Sequence, residues 1–301
     1  MPDQPHLAVG SPRAIPHTTL RLGLDPKAVA IASLMHVGAV LTVWWLPPTP
    51  TLLLLTVVLY CVRMLGVTVG FHRYFSHHSF ATSRWFAAVL AFWGGLGAQR
   101  SAVWWAGHHR VHHRRSDLPG DVHSPVEGSW FWAQMGWWLD ASSDETRWQN
   151  IKEFADRPEL RWLDRHHLVP QLLMAAVLYL VGGVPWLLWG YVLNTVLVWH
   201  GLSLLNSWCH RFGSKPFVTK DNSRNSLLVG ILAMGEGWHN NHHRFVSSPR
   251  HGLMWWQVDL SWLVIRVLSA VGLIWDLQAV PSAEQQAAAA GKATLANPQT
   301  T

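Results

Sequence analysis

Three histidine clusters stand out in the chain: His72-Arg-Tyr-Phe-Ser-His77, His109-Arg-Val-His112-His113 and His239-Asn-Asn-His242-His243. Histidine is the commonest metal ligand among side chains. The second and third clusters share the spacing i, i+3, i+4. On a helix turning about 100° per residue, that spacing puts three rings on one face roughly 100° wide. The first cluster has the spacing i, i+5, which separates its rings by about 140° on a straight helix. His72 and His77 can therefore share a site only if the helix ends or bends there. A structural zinc site closes with about four ligands, and eight clustered histidines are too many for one such site. Two metals side by side are indicated. Imidazole suits Zn, Cu, Fe and Ni, so ligand type does not choose among them. His36, His6, His17, His166, His167 and His251 stand outside the clusters and read as ordinary residues.

The elements that must position these clusters read as membrane helices. Of the 301 residues 50% are hydrophobic and 13% charged, against about 25% charged in a soluble domain. The 21 tryptophans suit a chain with membrane interfaces. Four stretches approach the roughly 20 apolar residues that cross a bilayer: about 28–46, 51–69, 168–183 and 186–205. They form two hairpins, turning at Pro47-Pro48-Thr49-Pro50 and at Gly182-Gly183-Val184-Pro185, and neither turn carries a charge. The arginines between His72 and His167, and the basic residues after His210, mark both of those segments as cytoplasmic by the positive-inside rule. The expected fold is all-α and integral to the membrane, with four transmembrane helices in two hairpins, both termini cytoplasmic, and a cytoplasmic helical cap holding a histidine-ligated di-metal site. In a bacterium the membrane would be the inner (plasma) one.

Three further apolar pieces are not expected to span. The stretch 85–103 is interrupted by Gly94, Gly95, Gly97 and Arg100 and reads as a re-entrant or interface-lying helix. The stretch 258–275 carries Asp259 and Arg266 and reads as amphipathic and interfacial. The stretch 128–139, with Trp130, Trp132, Trp137 and Trp138, reads as interfacial, the alternative being a buried helix. Residues 1–27 read as a disordered arm, 28–278 as the membrane domain and 279–301 as a tail that is disordered or weakly helical. Cys61 and Cys209 give no disulfide framework. The net charge of +6 suits a membrane face or an anionic headgroup better than nucleic acid, for which there is no motif.

These clusters, in this order between these hairpins, resemble the integral-membrane acyl-CoA desaturases of the stearoyl-CoA (delta-9) type. The landmarks are Gly70-Phe-His-Arg-Tyr-Phe-Ser-His77, His109-Arg-Val-His-His113, Asp121-Val-His-Ser-Pro125, Asn206-Ser-Trp-Cys-His210 and Gly235-Glu-Gly-Trp-His-Asn-Asn-His-His243. The resemblance implies two iron ions, with His210 as a ninth ligand beside His72, His77, His109, His112, His113, His239, His242 and His243. It also implies a metal-bound water on Asn206, four residues from His210 and so on the same face of a helix. It implies a substrate tunnel near Gln99 and Trp105. Two departures are visible: Val122 stands where the family has proline, and His108 where it commonly has aspartate.

Desaturation removes two hydrogens from unactivated methylenes, a step no side chain can drive, so a cofactor must carry it. An iron pair with O2 as oxidant meets that need. Glu236, Asp117 and Asp121 are placed to orient ligand N–H groups and offset charge, although solvated acids would look the same. Arg73 or Arg110 is a candidate for meeting a thioester's phosphates. The expected activity is an O2-dependent acyl desaturase placing a cis double bond at the delta-9 position of a fatty acyl thioester or acyl lipid. Electrons would come from a separate cytochrome b5-like or ferredoxin-like donor and its reductase, because no haem, flavin or iron–sulfur motif occurs in the chain. The competing readings are a membrane di-iron hydroxylase or ketolase, and a metal transporter. Transporters place ionisable ligands at mid-bilayer depth, whereas these clusters sit beyond the spans.

Overall fold

The computed structural model describes residues 23–295 and is mostly helical. The first helix, Pro26–Trp45, starts where Asp25 accepts a hydrogen bond from the Lys27 amide and proline occupies the first turn, a favoured N-terminal arrangement. It stops at the run of prolines. Thr49 then caps the next helix, Pro50–Leu65. That helix continues without a break into a π-helical stretch, Gly66–Ser76.

Three stretches are long and apolar enough to cross a membrane: Pro26–Trp45, Pro50–Ser76 and Val169–Ser207. The last holds 39 residues. Drawn out straight it would run about 58 Å, nearly twice the hydrocarbon thickness of about 30 Å. It does not run straight. Gly183 takes φ 63° and ψ −157°, a conformation essentially reserved for glycine, and breaks the helix there. The two arms fold back on each other: a Cβ on Gly190 would lie 3.1 Å from the Leu178 side chain. The outer faces of these stretches expose large apolar side chains, among them Leu34, Trp44, Leu54 and Leu180. In water each would forgo about 1.5–3 kcal/mol of burial.

One charge lies inside this apolar frame. Arg63 is fully buried, and its guanidinium donates to the Leu96 carbonyl (2.8 Å), Asn194 Oδ1 (2.9 Å) and Thr195 Oγ1 (2.7 Å). It thereby ties the second helix to the third stretch and to the loop before the second histidine cluster.

The helix Arg84–Gly95 has 12 residues, about 18 Å at helical rise and too short to span. It lies so close to the π-helical stretch that a Cβ on Gly66 would sit 2.6 Å from the Trp93 carbonyl oxygen. Leu260–Ala270 is a separate helix that packs on the same stretch. Strand Ala81–Thr82 pairs antiparallel with Ile274–Trp275, Ala81 opposite Trp275, and so closes the chain around the histidine clusters.

Two expectations change. In the segment 128–139, expected at the membrane interface, Trp132 and Trp137 are buried and pack with Trp104, leaving Trp130 exposed. The rings fill the gap beneath the second-cluster helix. In the tail expected to be disordered from 279, Ala283–Leu295 is helical, as its run of alanine, the best helix former, favours. Residues 1–22, which include His6, His17 and most of the expected arm, lie outside the described residues.

Candidate metal centre

The first cluster solves its spacing problem in an unexpected way. The helix neither ends nor bends between His72 and His77. It widens into the π form, in which each amide bonds to the carbonyl five residues back. The His77 amide donates to the His72 carbonyl at 3.2 Å. Residues five apart therefore come one above the other, and the two ring centroids lie 4.7 Å apart.

The second cluster lies on the α-helix Ala102–Arg115, capped by Ser101, and the third on the short helix His239–Arg244. Each divides its rings between two groups. His72, His77, His109, His113 and His242 form one group, and His112, His210, His239 and His243 the other, with the ligand atoms of each group within 4.8 Å of one another. The groups adjoin where the His113 and His243 rings stack at 4.5 Å. His210 reaches its group from a turn, because the helix Asn194–Ser207 has already stopped. Asn206 and His210 are thus not on a common helix face as expected, although Asn206 lines the adjoining cavity.

Carboxylates fix the rings. Glu236 Oε2 meets His72 Nδ1 at 2.5 Å, Asp121 Oδ1 meets His112 Nδ1 at 2.9 Å, Asp117 Oδ2 meets His210 Nδ1 at 2.8 Å and Asp221 Oδ2 meets His243 Nδ1 at 2.6 Å. A carboxylate can only accept, so Nδ1 carries the proton in each of these rings and Nε2 presents a lone pair. Buried Nε2 of His112 and of His243 has no hydrogen-bond partner. Elsewhere bare nitrogens face each other at 2.9–3.1 Å, as in His77–His109, His109–His113, His113–His242, His72–His242 and His210–His239. Converging lone pairs without protons between them are the donor set a cation requires, and the residues fit a pair of metal ions.

The electrostatics agree. Burial, followed by the charge of neighbouring histidines, holds His109, His113, His239 and His242 well below the usual imidazole range. Neutral rings are the ligating form. Burial also lowers His243, to about 4, against the opposing pull of Asp221. For Asp117, burial acts upward, but hydrogen bonding and charge from His210 prevail and bring its carboxyl down to about 2.

Glu236, Asp117 and Asp121 each touch a ring, as anticipated. The sequence reading missed three neighbours. Asp221 is an ordinary acid in a basic loop until the fold delivers it to His243. His251, set aside as ordinary, groups with His72 and Glu236. His123, inside a quoted landmark, groups with His112 and Asp121. By contrast His36, His166 and His167 lie apart from both groups; His36 Nε2 meets only His200 Nε2, at 3.0 Å.

The two arginines considered for phosphate binding are already engaged. Arg73 is fully buried and donates to Glu236 and Asp259. Arg110 donates to the carbonyls of Phe75, Ser76 and Asn150 and pairs with Glu153. Neither is free to receive a ligand. His108 hydrogen-bonds through Nδ1 to the Trp104 carbonyl, and its buried Nε2 has no partner.

A cavity opens beside the histidines. Gln99, Trp105, His108, Leu202, Ser203 and Asn206 line it together with His72, His109 and His239. Trp105 stacks on the His109 ring at 4.5 Å. The cavity can therefore bring a long apolar group against the faces of both histidine groups.

Residues 27–267 match the family described as fatty acid desaturase. The chain is 38% identical over 227 residues to an icosanoyl-CoA 5-desaturase of Limnanthes douglasii, covering 74% of this chain and 64% of that protein. It is 38% identical over 226 residues to a chloroplastic palmitoyl-monogalactosyldiacylglycerol delta-7 desaturase of Arabidopsis thaliana, covering 74% of this chain and 61% of the relative. With an sn-1 stearoyl-lipid 9-desaturase of Anabaena variabilis it shares 39% identity over 212 residues, which is 69% of this chain and 77% of the other. The match thus spans just under two thirds of the first two relatives.

Proposed function

The chain belongs to the fatty acid desaturase family, and from that premise we propose that it inserts a cis double bond, at the delta-9 position, into a saturated acyl chain held beside two iron ions. The observation that carries the reading is the division of nine histidines into two adjoining groups of converging nitrogens at the wall of a largely apolar cavity.

In this reading His72, His77, His109, His113 and His242 hold one iron, and His112, His210, His239 and His243 hold the other, with Asn206 positioning a water. When bound, the metal pair supplies with O2 the oxidising power that unactivated C–H bonds demand. The protein's own residues do the rest. Glu236, Asp117, Asp121 and Asp221 lock the ring orientations and offset charge. The cavity past Gln99 and Trp105 sets which carbons lie against the site, a proximity effect that fixes regiochemistry. Its apolar walls keep water out.

The proposed setting is a four-span membrane domain over 28–278, with both termini and the histidine-bearing cap in the cytoplasm. The break at Gly183 supports counting Val169–Ser207 as two spans. Electrons come from a separate cytochrome b5-like or ferredoxin-like donor with its reductase, docking on the basic face.

A fatty-acid profile of desaturase-deficient cells expressing the chain, beside a His242→Ala variant, tests the proposal. New cis-unsaturated acids that vanish in the variant are expected, with the bond position read from the products. Hydroxylated acids in their place would favour the hydroxylase alternative.

A further inference from the structure

A second cavity continues from the first toward the membrane. Gln99 lines both, and no hydrogen bond fixes its side-chain amide among the described residues. The outer cavity lies between the first turn of Pro26–Trp45, with Lys27 and Ile31, and the first turn of Val169–Leu187, at Leu168. Trp138 and Trp199 form its inner wall. Ile31 and Leu168 are 54% and 48% exposed, so the rim is apolar and opens where two spanning helices begin.

The charges around this mouth cancel. Its lining holds two acids, Asp25 and Asp144, and two bases, Lys27 and Arg100. Arg100 is spent internally: it donates to the Asp144 carbonyl (2.7 Å) and Asp144 Oδ1 (2.5 Å), and its guanidinium lies 5.0 Å from the centre of the Trp104 ring. The open depression next to the mouth is lined by Arg100 and Arg165 against Asp144, Glu145 and Asp164, one more acid than base. A coenzyme A headgroup carries a diphosphate and a further phosphate, and recognition of such groups calls for free arginine or lysine. Among the described residues the mouth offers only Lys27 as an unengaged cation, and Arg73 and Arg110 are occupied elsewhere.

We propose that the substrate is an intact membrane glycerolipid with an uncharged or zwitterionic headgroup, whose acyl chain enters sideways from the bilayer between Ile31 and Leu168 and passes Gln99 to the histidine groups. This inference rests on the desaturase reading and adds the substrate class to it. The headgroup stays at the rim, where a balanced ring of charge neither repels it nor demands phosphate.

The test uses the full chain, iron-loaded and reconstituted in nanodiscs with a ferredoxin or cytochrome b5 donor system. Two deuterated C18 probes are compared: a zwitterionic glycerolipid carrying the chain in a non-hydrolysable sn-1 ether linkage, and stearoyl-CoA. The expected result is a double bond in the ether lipid at a rate at least tenfold above that in stearoyl-CoA, assayed without any acyltransferase. Equal rates, or faster turnover of stearoyl-CoA, would overturn the proposal and leave the desaturase reading intact. No product from either probe would overturn both. A Lys27→Glu variant gives a second readout: a large rise in KM for stearoyl-CoA would show that the mouth reads phosphate after all.

Discussion

His72 and Glu236 meet at 2.5 Å, Nδ1 to Oε2, while Arg73, the residue next to His72, holds the other oxygen of the same carboxylate at 3.0–3.1 Å. A single buried acid thus orients a ring of the first histidine group and neutralises the adjacent guanidinium. Asp259 shares the second task.

Replacing that acid separates the two duties. Glu236→Gln keeps the shape but removes the charge, and Arg73 retains Asp259. Loss of such an outer partner lowers metal affinity or activity by about 10–100-fold. Metal content after dialysis against graded chelator is expected to fall in that range, and an unchanged chelator midpoint would count against the role given to Glu236.

The proposed ligand set divides His242 from its neighbour His251, whose rings lie 4.4 Å apart. His251 sits on the Glu236 side, its Nδ1 at 3.2 Å from Oε2. His242→Ala is expected to lose one of two bound metal ions and nearly all activity. His251→Ala is expected to keep both ions and lose activity by less than about tenfold. Elemental analysis of the two purified variants decides, and equal metal loss in both would rewrite the ligand set.

Arg63→Leu removes the donor for Leu96, Asn194 and Thr195 together. Each buried acceptor left unpaired costs about 1–3 kcal/mol, so a loss of about 3 kcal/mol or more is expected. For a domain of this size that corresponds to roughly 6 °C or more in the unfolding midpoint. Thermal unfolding of the detergent-solubilised protein measures it, and a shift under about 2 °C would show that water or lipid satisfies these groups.

The proposed topology sets the Pro47–Pro50 turn and the second histidine helix on opposite sides. In a background with Cys61 and Cys209 replaced by alanine, a single cysteine at Thr49 should react with an impermeant maleimide applied to intact cells. One at Arg115, which is exposed, should react only after the membrane is opened. The reverse pattern would invert the orientation.

Much of this was legible in the sequence because it was written in spacing and composition. The apolar stretches carry their own lengths, the i, i+3, i+4 clusters carry their own faces, and the proline and glycine turns mark where helices stop. What stayed illegible depends on contacts between distant segments. Nothing local distinguishes Asp221 from a solvated loop acid, and His251 follows an arginine and precedes a glycine without any pattern. Trp132 and Trp137 read as interfacial because tryptophan serves membranes and cores alike; only packing against Trp104 separates the two. Arg73 looked available because its burial arises from Asp259, 186 residues away.

The π-helical stretch Gly66–Ser76 also bears on how the chain can change its length. An interval of four between His72 and His77 would suit an α-helix, so the interval of five amounts to one surplus residue. Deleting it would restore the ordinary ladder of bonds and make a better helix. It would also turn everything on one side of the deletion by about 100° relative to the other, taking one ring away from its group. Stability and chemistry therefore pull against each other in this segment. Length variation, tolerated freely in surface loops, is closed to it even in the direction that would improve the fold.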